Sequence, residues 1–488
     1  MSKLHLALIL HHHQPEGNFD HIIENAYLDA YAPFVEFLLE KPSFRVALHY
    51  SGPLMRWIAL WHPEFIEKLK VLLQRNQIEV LSGSFGESIL SIWDESNQHD
   101  QLMRMNRLLK ELTGTNPCGF WLAERIWEPT LPSILFGGGY TYTILDDNHF
   151  QAAGVAPDEL FGYYLSEHKG DIISIISSSN KLRYLIPFAL VERLFSFLKQ
   201  VYDAKQDKLI AMGDDGEKFG VWPGTRDWVY GEKWLEKFID EVEKNKDWLE
   251  LSLPAEYIKK FPPSGRLYLP TLSYFELMEW SLPSSAAVEY KKVFLSLKQH
   301  VEEELPSPYL RGGFWRNFLT KYTESNYMHK RLVWLYRFMR DNIEAINEEE
   351  REKFFTLICK AQCNDAYWHG VFSGLYAPHL RKAIWDNLLR AHVLIDNATL
   401  LKNDSLAIQT LDINCDGYAE TMVSSKELVT VFSLIGGSVL EMSYKTCHLC
   451  FTSCLRRRFE SYHLSIEENV VDNSTEEIKT IHHIHRAK

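Results

Sequence analysis

Leu4-His5-Leu6-Ala7-Leu8-Ile9-Leu10 runs without a break into His11-His12-His13-Gln14-Pro15, and the reading of this junction decides the fold. The apolar stretch is seven residues long, contains His5 and meets no small-residue cleavage site, so a buried strand fits better than a signal peptide. It is also well short of the roughly 18 apolar residues of a membrane span. Six more short apolar runs follow, at 45–48, 77–81, 119–122, 142–145, 172–176 and 208–212, with amphipathic stretches such as 63–75 and 97–111 between them. Strand–helix alternation implies parallel strands with crossover helices. About seven repeats within residues 1–285 favour an α/β barrel over an open doubly wound sheet, and in barrels chemistry gathers at the carboxyl ends of the strands.

Beyond this region the period changes. Residues 286–403 read as helical, with helices expected at 286–305, 327–346, 348–361 and 379–401. From residue 407 the pattern becomes strand-like, at 411–414, 420–423 and 428–434, with Asp416-Gly417 and Gly436-Gly437 as turns. Residues 404–463 therefore form the start of an all-β domain. The polar, acidic residues 464–488, with their His-rich end, are expected to be mostly disordered.

Composition narrows the function. The 488 residues are 46% hydrophobic and 24% charged, ordinary for a globular chain, and about three domains fit that length. Lys and Arg number 52 against 65 Asp and Glu, a net charge of −13. Without a basic run, neither sequence-independent nucleic-acid binding nor a polybasic membrane anchor is expected. Seven cysteines, an odd number in no framework spacing, point to a reduced, cytoplasmic protein. Fourteen Trp, 23 Tyr and 27 Phe indicate either a large aromatic core or a cleft whose rings stack on sugars.

Chemistry-bearing residues fall at strand ends. His11 and His13 share one side of an extended segment, as ligands of a metal or as hydrogen-bonding groups for a polar ligand. After the fourth run come Trp121-Leu122-Ala123-Glu124-Arg125-Ile126-Trp127. There Glu124 is placed to act as nucleophile or base with Arg125 holding it ionised, or else the two make a structural pair. After the seventh, Gly213-Asp214-Asp215-Gly216-Glu217-Lys218 crowds three carboxylates into four residues. Like charges so close keep one carboxyl protonated; a solvated turn or a cation site is the alternative, though the spacing of a calcium loop is missing. Two carboxylates on different strands of one barrel mouth suit glycoside chemistry. Glu87 follows the third run, and Cys363-Asn364-Asp365-Ala366-Tyr367-Trp368-His369-Gly370 breaks an otherwise helical region. Cys447, Cys450 and Cys454, with His448 between them, lack a fourth partner at zinc-finger spacing and read as free thiols.

Five segments, 11–15, 83–87, 121–129, 214–224 and 363–370, resemble in order the conserved regions of glycoside hydrolase family 57, nearest its 4-α-glucanotransferases, often called α-amylases. Segments 270–276, 311–315 and 324–331 are similar to it as well. The resemblance implies a (β/α)7 barrel, an adjoining helical segment, a C-terminal β-sandwich, no cofactor and no catalytic metal. It implies a retaining double displacement with Glu124 as nucleophile and Asp215 as acid/base, their carboxyl groups about 5–5.5 Å apart. His11, His13, Glu87, Trp121, Glu217, Trp222, Asp365 and Trp368 would line the sugar subsites, and Asp214 would support Asp215. The implied partners are α-1,4-glucans and maltooligosaccharides, with a homodimer as the open oligomeric option. Residues 455–463 resemble an Arg-rich stretch of the sandwich. Family glucanotransferases run on past this point, so the sandwich is expected to be incomplete.

Overall fold

The computed structural model describes residues 2–300, 310–370, 372–399, 401 and 406–463. In chain order its first strands are β1 (Leu4–His12), β2 (Val46–Tyr50), β3 (Ile78–Gly83), β4 (Gly119–Trp121), β5 (Tyr142–Asp146), β6 (Tyr163–His168), β7 (Asp171–Ser178) and β8 (Lys208–Asp215). Seven of these, β1-β2-β3-β4-β5-β7-β8, pair in parallel, and the ring closes both through β7 on β8, at Ser178 opposite Ala211, and through β8 on β1. This is the expected (β/α)7 barrel. All nine residues of β1 are buried, which is why the strand is a continuous apolar run rather than an alternating one.

The sequence reading did not anticipate β6. It forms an antiparallel hairpin with β7 outside the ring, and β10 (Gly265–Arg266) extends it, while β9 (Leu249–Leu251) pairs with β1. The hairpin turns at Lys169-Gly170, both with positive φ (54° and 91°). Crossover helices close as expected from their caps. Asp94 caps the helix Glu95–Thr113 by accepting from the Asn97 N–H at 3.0 Å, and Gly114 ends it in the left-handed conformation.

Helices Ser284–His300, Thr323–Asp341, Glu348–Ala361 and Pro378–Ala398 occupy the expected helical region. The expected strand at 411–414 lies earlier, as β11 (Leu406–Leu411), because Asp412 to Gly417 form a turn in which Asp412 accepts from the Asp416 and Gly417 N–H groups. With β12 (Glu420–Ser425), β13 (Leu428–Ser433), β14 (Val439–Tyr444) and β15 (Leu449–Cys450) it makes one antiparallel sheet in sequential order. The sheet is fixed to the helices by buried charge: Arg331 donates to Glu441 (2.6 Å), which also accepts from Tyr327, and Lys445 pairs with Asp396. The expected disorder of 464–488 concerns residues outside the described ones. Among the described residues no helix is long and apolar enough to cross a membrane.

Candidate active site

The carboxyl ends of β1, β4 and β8, together with segments 183–188, 274–280, 365–370 and 372–380, surround a cavity of about 480 Å³. The shared register explains the convergence: His11 stands beside His49 on β2 and Asp215 on β8. Ten of the eleven candidate residues line this cavity: Glu124, Asp214, Asp215, His11, His13, Trp121, Glu217, Trp222, Asp365 and Trp368. The eleventh, Glu87, is buried next to His11, its Oε1 3.5 Å from His11 Nε2.

The first strand divides its histidines by alternation. His11 and His13 face the cavity; His12 turns away and stacks on Tyr50 at 4.3 Å. His12 is packed so closely that a Cβ at Gly216 would sit 2.1 Å from its Nε2, which explains the glycine between Asp215 and Glu217. His11 stacks on Trp121 (4.7 Å, 10° between planes) and shares a 2.7 Å hydrogen bond with His49 through their Nδ1 atoms. Burial first, then its histidine neighbours, hold His11 well below the usual imidazole range. His13 behaves oppositely. Burial opposes its charge, but the Asp365 carboxylate, 2.9 Å from Nε2, together with Cys363 and Glu87 overcomes that and raises its pKa well above the usual value.

Glu124 follows β4 in the left-handed region (φ 53°), as do Arg125 (φ 48°) and, after β3, Glu87 (φ 53°). Such backbone costs about 1–3 kcal/mol per residue and persists only where the surroundings fix it. The fixing groups come from distant segments: Ser273 Oγ donates to the Glu124 carbonyl (2.9 Å), and Asn364 Nδ2 donates to the Glu87 carbonyl (2.6 Å). Tyr274 O–H donates to Glu124 Oε2 at 2.8 Å. The side chain of Arg125 does not bond Glu124, contrary to a simple Glu–Arg pair. It donates to Asp146 Oδ2 (2.8 Å) and lies over the Tyr274 ring, influencing Glu124 through space. Burial dominates and lifts Glu124 to about 7, with Arg125 and the Tyr274 hydrogen bond opposing the rise.

On β8 the paired aspartates are distinguished by their partners. Asp214 accepts from Arg183 Nε (3.0 Å) and from Lys218 Nζ, and its Oδ1 accepts the Asp215 N–H (2.9 Å). Burial raises its pKa, but Arg183, Lys218 and Arg125 overcome burial and hold it well below the usual aspartate range. Asp215 shifts upward, through burial and then the Asp214 charge beside it. Glu217, desolvated in the cleft wall and near Asp215, rises to about 7 although it accepts from Tyr31 O–H (2.5 Å) and the His13 N–H (3.0 Å). Glu87 rises to about 8, mainly by burial.

Rings complete the cavity. Trp368 lies 6.2 Å from Trp280, its Nε1 donating to Asn364 Oδ1 (2.7 Å), and Trp222 stands 5.7 Å from Phe188. Other tryptophans, Trp127, Trp234 and Trp315, are fully buried, so the aromatic excess serves both core and cleft. Two groups have metal-ligand proximity among the described residues: His11 with His49 and Glu87, and His13 with Cys363 and Asp365. His11 and His13 belong to different groups. Of the Cys-rich segment, Cys450 is buried and Cys447 and Cys454 are exposed, all as free thiols.

Sequence reading missed His49, Tyr31, Arg183, Lys218, Tyr274 and Trp280. Of these, only Tyr274 and Lys218 carried a signal, being inside segments 270–276 and 214–224.

Three family models match in order. Glycosyl hydrolase family 57 covers residues 7–270; the middle and C-terminal domains of alpha-amylase/4-alpha-glucanotransferase cover 313–395 and 412–488. The chain is 41% identical to alpha-amylase 1 of Dictyoglomus thermophilum, over 94% of this chain and 66% of that protein. It is 39% identical to the 4-alpha-glucanotransferase of Thermococcus kodakarensis, over 99% and 71%. The crystal structure of the 4-alpha-glucanotransferase of Thermococcus litoralis matches with a TM-score of 0.87 at 38% identity, over 97% and 71%. The chain thus spans about two thirds to seven tenths of the length of these relatives.

Proposed function

Since the chain belongs to glycosyl hydrolase family 57, we propose that it is a retaining enzyme of α-1,4-glucans that transfers maltooligosaccharide segments between chains. The observation that carries this reading is the placement of Glu124 and Asp215 in one ring-lined cavity with opposite local support. Glu124 receives a donor that favours its anion; Asp215 abuts an anion that favours its acid form.

The proposed reaction has two halves. Glu124 attacks the anomeric carbon while the bond to the leaving glucan oxygen breaks and Asp215 gives that oxygen its proton. A glycosyl–Glu124 ester results. The 4-hydroxyl of an acceptor glucan then attacks the same carbon, Asp215 takes the hydroxyl proton, and the ester bond breaks to restore the carboxylate. Asp214, locked by Arg183 and Lys218, stays ionised and bonds the Asp215 backbone rather than reacting. His13 with Asp365, Glu217, His11 on Trp121, and the rings of Trp222 and Trp368 would hold sugar hydroxyls and faces, with Glu87 behind His11.

Water in place of the acceptor would give hydrolysis, the activity that the name of the Dictyoglomus relative carries. Incubation with maltotriose or maltopentaose separates the two. A ladder containing products longer than the substrate, lost in Glu124→Gln and Asp215→Asn, is the expected result. Shorter sugars alone would replace transfer by hydrolysis, and no turnover by folded protein on these or amylose would refute the enzyme reading.

A further inference from the structure

We propose that His13, Cys363 and Asp365 form a binding site for a thiophilic divalent cation, Zn2+ or Cd2+, in the wall of the cleft. One ligand atom from each residue lies within 4.8 Å of the others. His13 Nε2 is 2.9 Å and Cys363 Sγ 3.1 Å from the same oxygen, Asp365 Oδ2. Zinc bonds imidazole nitrogen and carboxylate oxygen at about 2.0–2.2 Å and thiolate sulfur at about 2.3 Å in a tetrahedron. Those lengths put neighbouring ligand atoms roughly 3.3–3.7 Å apart, so a few tenths of an ångström of expansion converts the present contacts into a ligand set.

Three features favour this group. The other ring nitrogen of His13, Nδ1, is 2.9 Å from Ser51 Oγ, which fixes the ring with Nε2 toward the site. The ligands come from two places, the residue that follows β1 and the 3-10 turn Asn364–Tyr367 with its preceding residue. His13 and Asp365 also line the cavity, so the fourth position opens toward solvent or a sugar hydroxyl. The donor set selects against hard cations: Mg2+ and Ca2+ seek oxygen cages, whereas a thiol with an imidazole suits zinc and its heavier congener. On binding, a metal–sulfur bond forms, the thiol proton leaves to solvent, and His13 gives up any proton held on Nε2. A cation there occupies His13 and Asp365 and so excludes glucan, a consequence that rests on the glucan reading; the binding itself does not.

The test uses the full chain with Cys415, Cys447 and Cys454, the exposed thiols, replaced by serine. Titrated Cd2+ is expected to produce an ultraviolet thiolate-to-cadmium charge-transfer band equivalent to one thiolate, absent after Cys363→Ser. Zn2+ is expected to inhibit maltooligosaccharide turnover at concentrations roughly tenfold or more lower in the parent than in Cys363→Ser, with recovery on chelation. Cys363→Ala, checked by thermal melting, substitutes if the serine variant does not fold. No band, or an equal band in parent and variant, overturns the site. A band that maltooligosaccharides do not weaken leaves the metal site standing and tells against glucan occupying this wall.

Discussion

Replacing Tyr274 by phenylalanine removes one oxygen and leaves the ring beneath Arg125, whose guanidinium is 4.8 Å from its centroid. The lost O–H, on a buried ring, donates to Oε2 of the half-buried Glu124 at 2.8 Å. A hydrogen bond to a charged group contributes about 1.5–3 kcal/mol, and about 1.4 kcal/mol corresponds to one pKa unit. The donor favours the carboxylate, so its removal raises the Glu124 pKa, already about 7, by roughly one to two units. In the proposed mechanism the nucleophile must be ionised, so activity climbs as pH rises through this pKa. The acid limb of kcat/KM should therefore move up by that amount. At pH 7 the variant should lose roughly 5- to 50-fold, with partial recovery in alkali. The assay is the pH dependence of maltooligosaccharide disproportionation, with far-ultraviolet circular dichroism to show an unchanged fold. A limb that superimposes on the parent's, with kcat/KM within about twofold, would refute the assignment of Tyr274 as the donor that holds the nucleophile.

Three further outcomes follow from buried charge. Lys218→Met leaves Asp214 with Arg183 alone, and breaking a buried pair costs about 3–5 kcal/mol; Asp214 is held below its ordinary range, so this pairing stabilises above that range and fades as pH falls. The melting temperature should thus drop most near neutrality, and the gap from the parent should narrow in acid; a gap that widens in acid would contradict the pairing. Glu87, raised to about 8 by burial, binds a proton when folded that the unfolded chain releases near 4.5, so its stability contribution declines as pH rises between those values. Glu87→Gln should consequently melt higher than the parent at alkaline pH, by about 2–5 kcal/mol at most, and little differently in acid. Arg331→Met strands the buried Glu441 carboxylate between helix Thr323–Asp341 and the C-terminal sheet, which should release β12–β14 to rapid amide exchange; exchange confined to the barrel instead would show that the ion pair does not fix the sheet.

Barrel and site were legible to different degrees, for physical reasons. Fully buried parallel strands are contiguous apolar runs, so all seven ring strands stood out, and β8 ended where the carboxylates begin. The β6–β7 hairpin hid because Tyr163 to His168 mixes apolar and polar residues on a half-buried surface, and only Lys169-Gly170 marks its turn. Glu124, Asp214, Asp215 and the histidines were visible as costly residues at strand ends. Their pairing with partners was not: Ser273, Tyr274 and Asn364 lie in segments that stood out and Arg183 in none, and no local pattern encodes that these distant segments meet the strand ends. Nor does sequence encode the left-handed backbone of Glu87, Glu124 and Arg125, since none of them is a glycine. Arg125 shows the limit best. Its place after Glu124 suggests a pair with it, yet the left-handed turn sends the guanidinium to Asp146.

That misdirected arginine bears on how the proposed mechanism starts with one acid and one anion. Three largely buried cations, Arg125, Arg183 and Lys218, face the cavity, and two carboxylates, Asp146 and Asp214, bond them directly. Glu276, a further carboxylate of the cavity wall, also acts on Arg183, so these cations are offset by anions in a medium where unbalanced charge is expensive. Ionising both Glu124 and Asp215 is opposed by burial and by their mutual repulsion. In the proposed mechanism the pair carries one proton. Its location follows from the neighbours, because Tyr274 O–H stabilises charge on Glu124 while the Asp214 anion disfavours charge on Asp215. A retaining displacement needs that same distribution, a bare nucleophile opposite a loaded acid. Had Arg125 bonded Glu124, Asp146 would lose its closest cation and the nucleophile would be tied by a strong ion pair. By binding Asp146 instead, Arg125 acts on Glu124 through space and leaves the attacking oxygen to a single neutral donor.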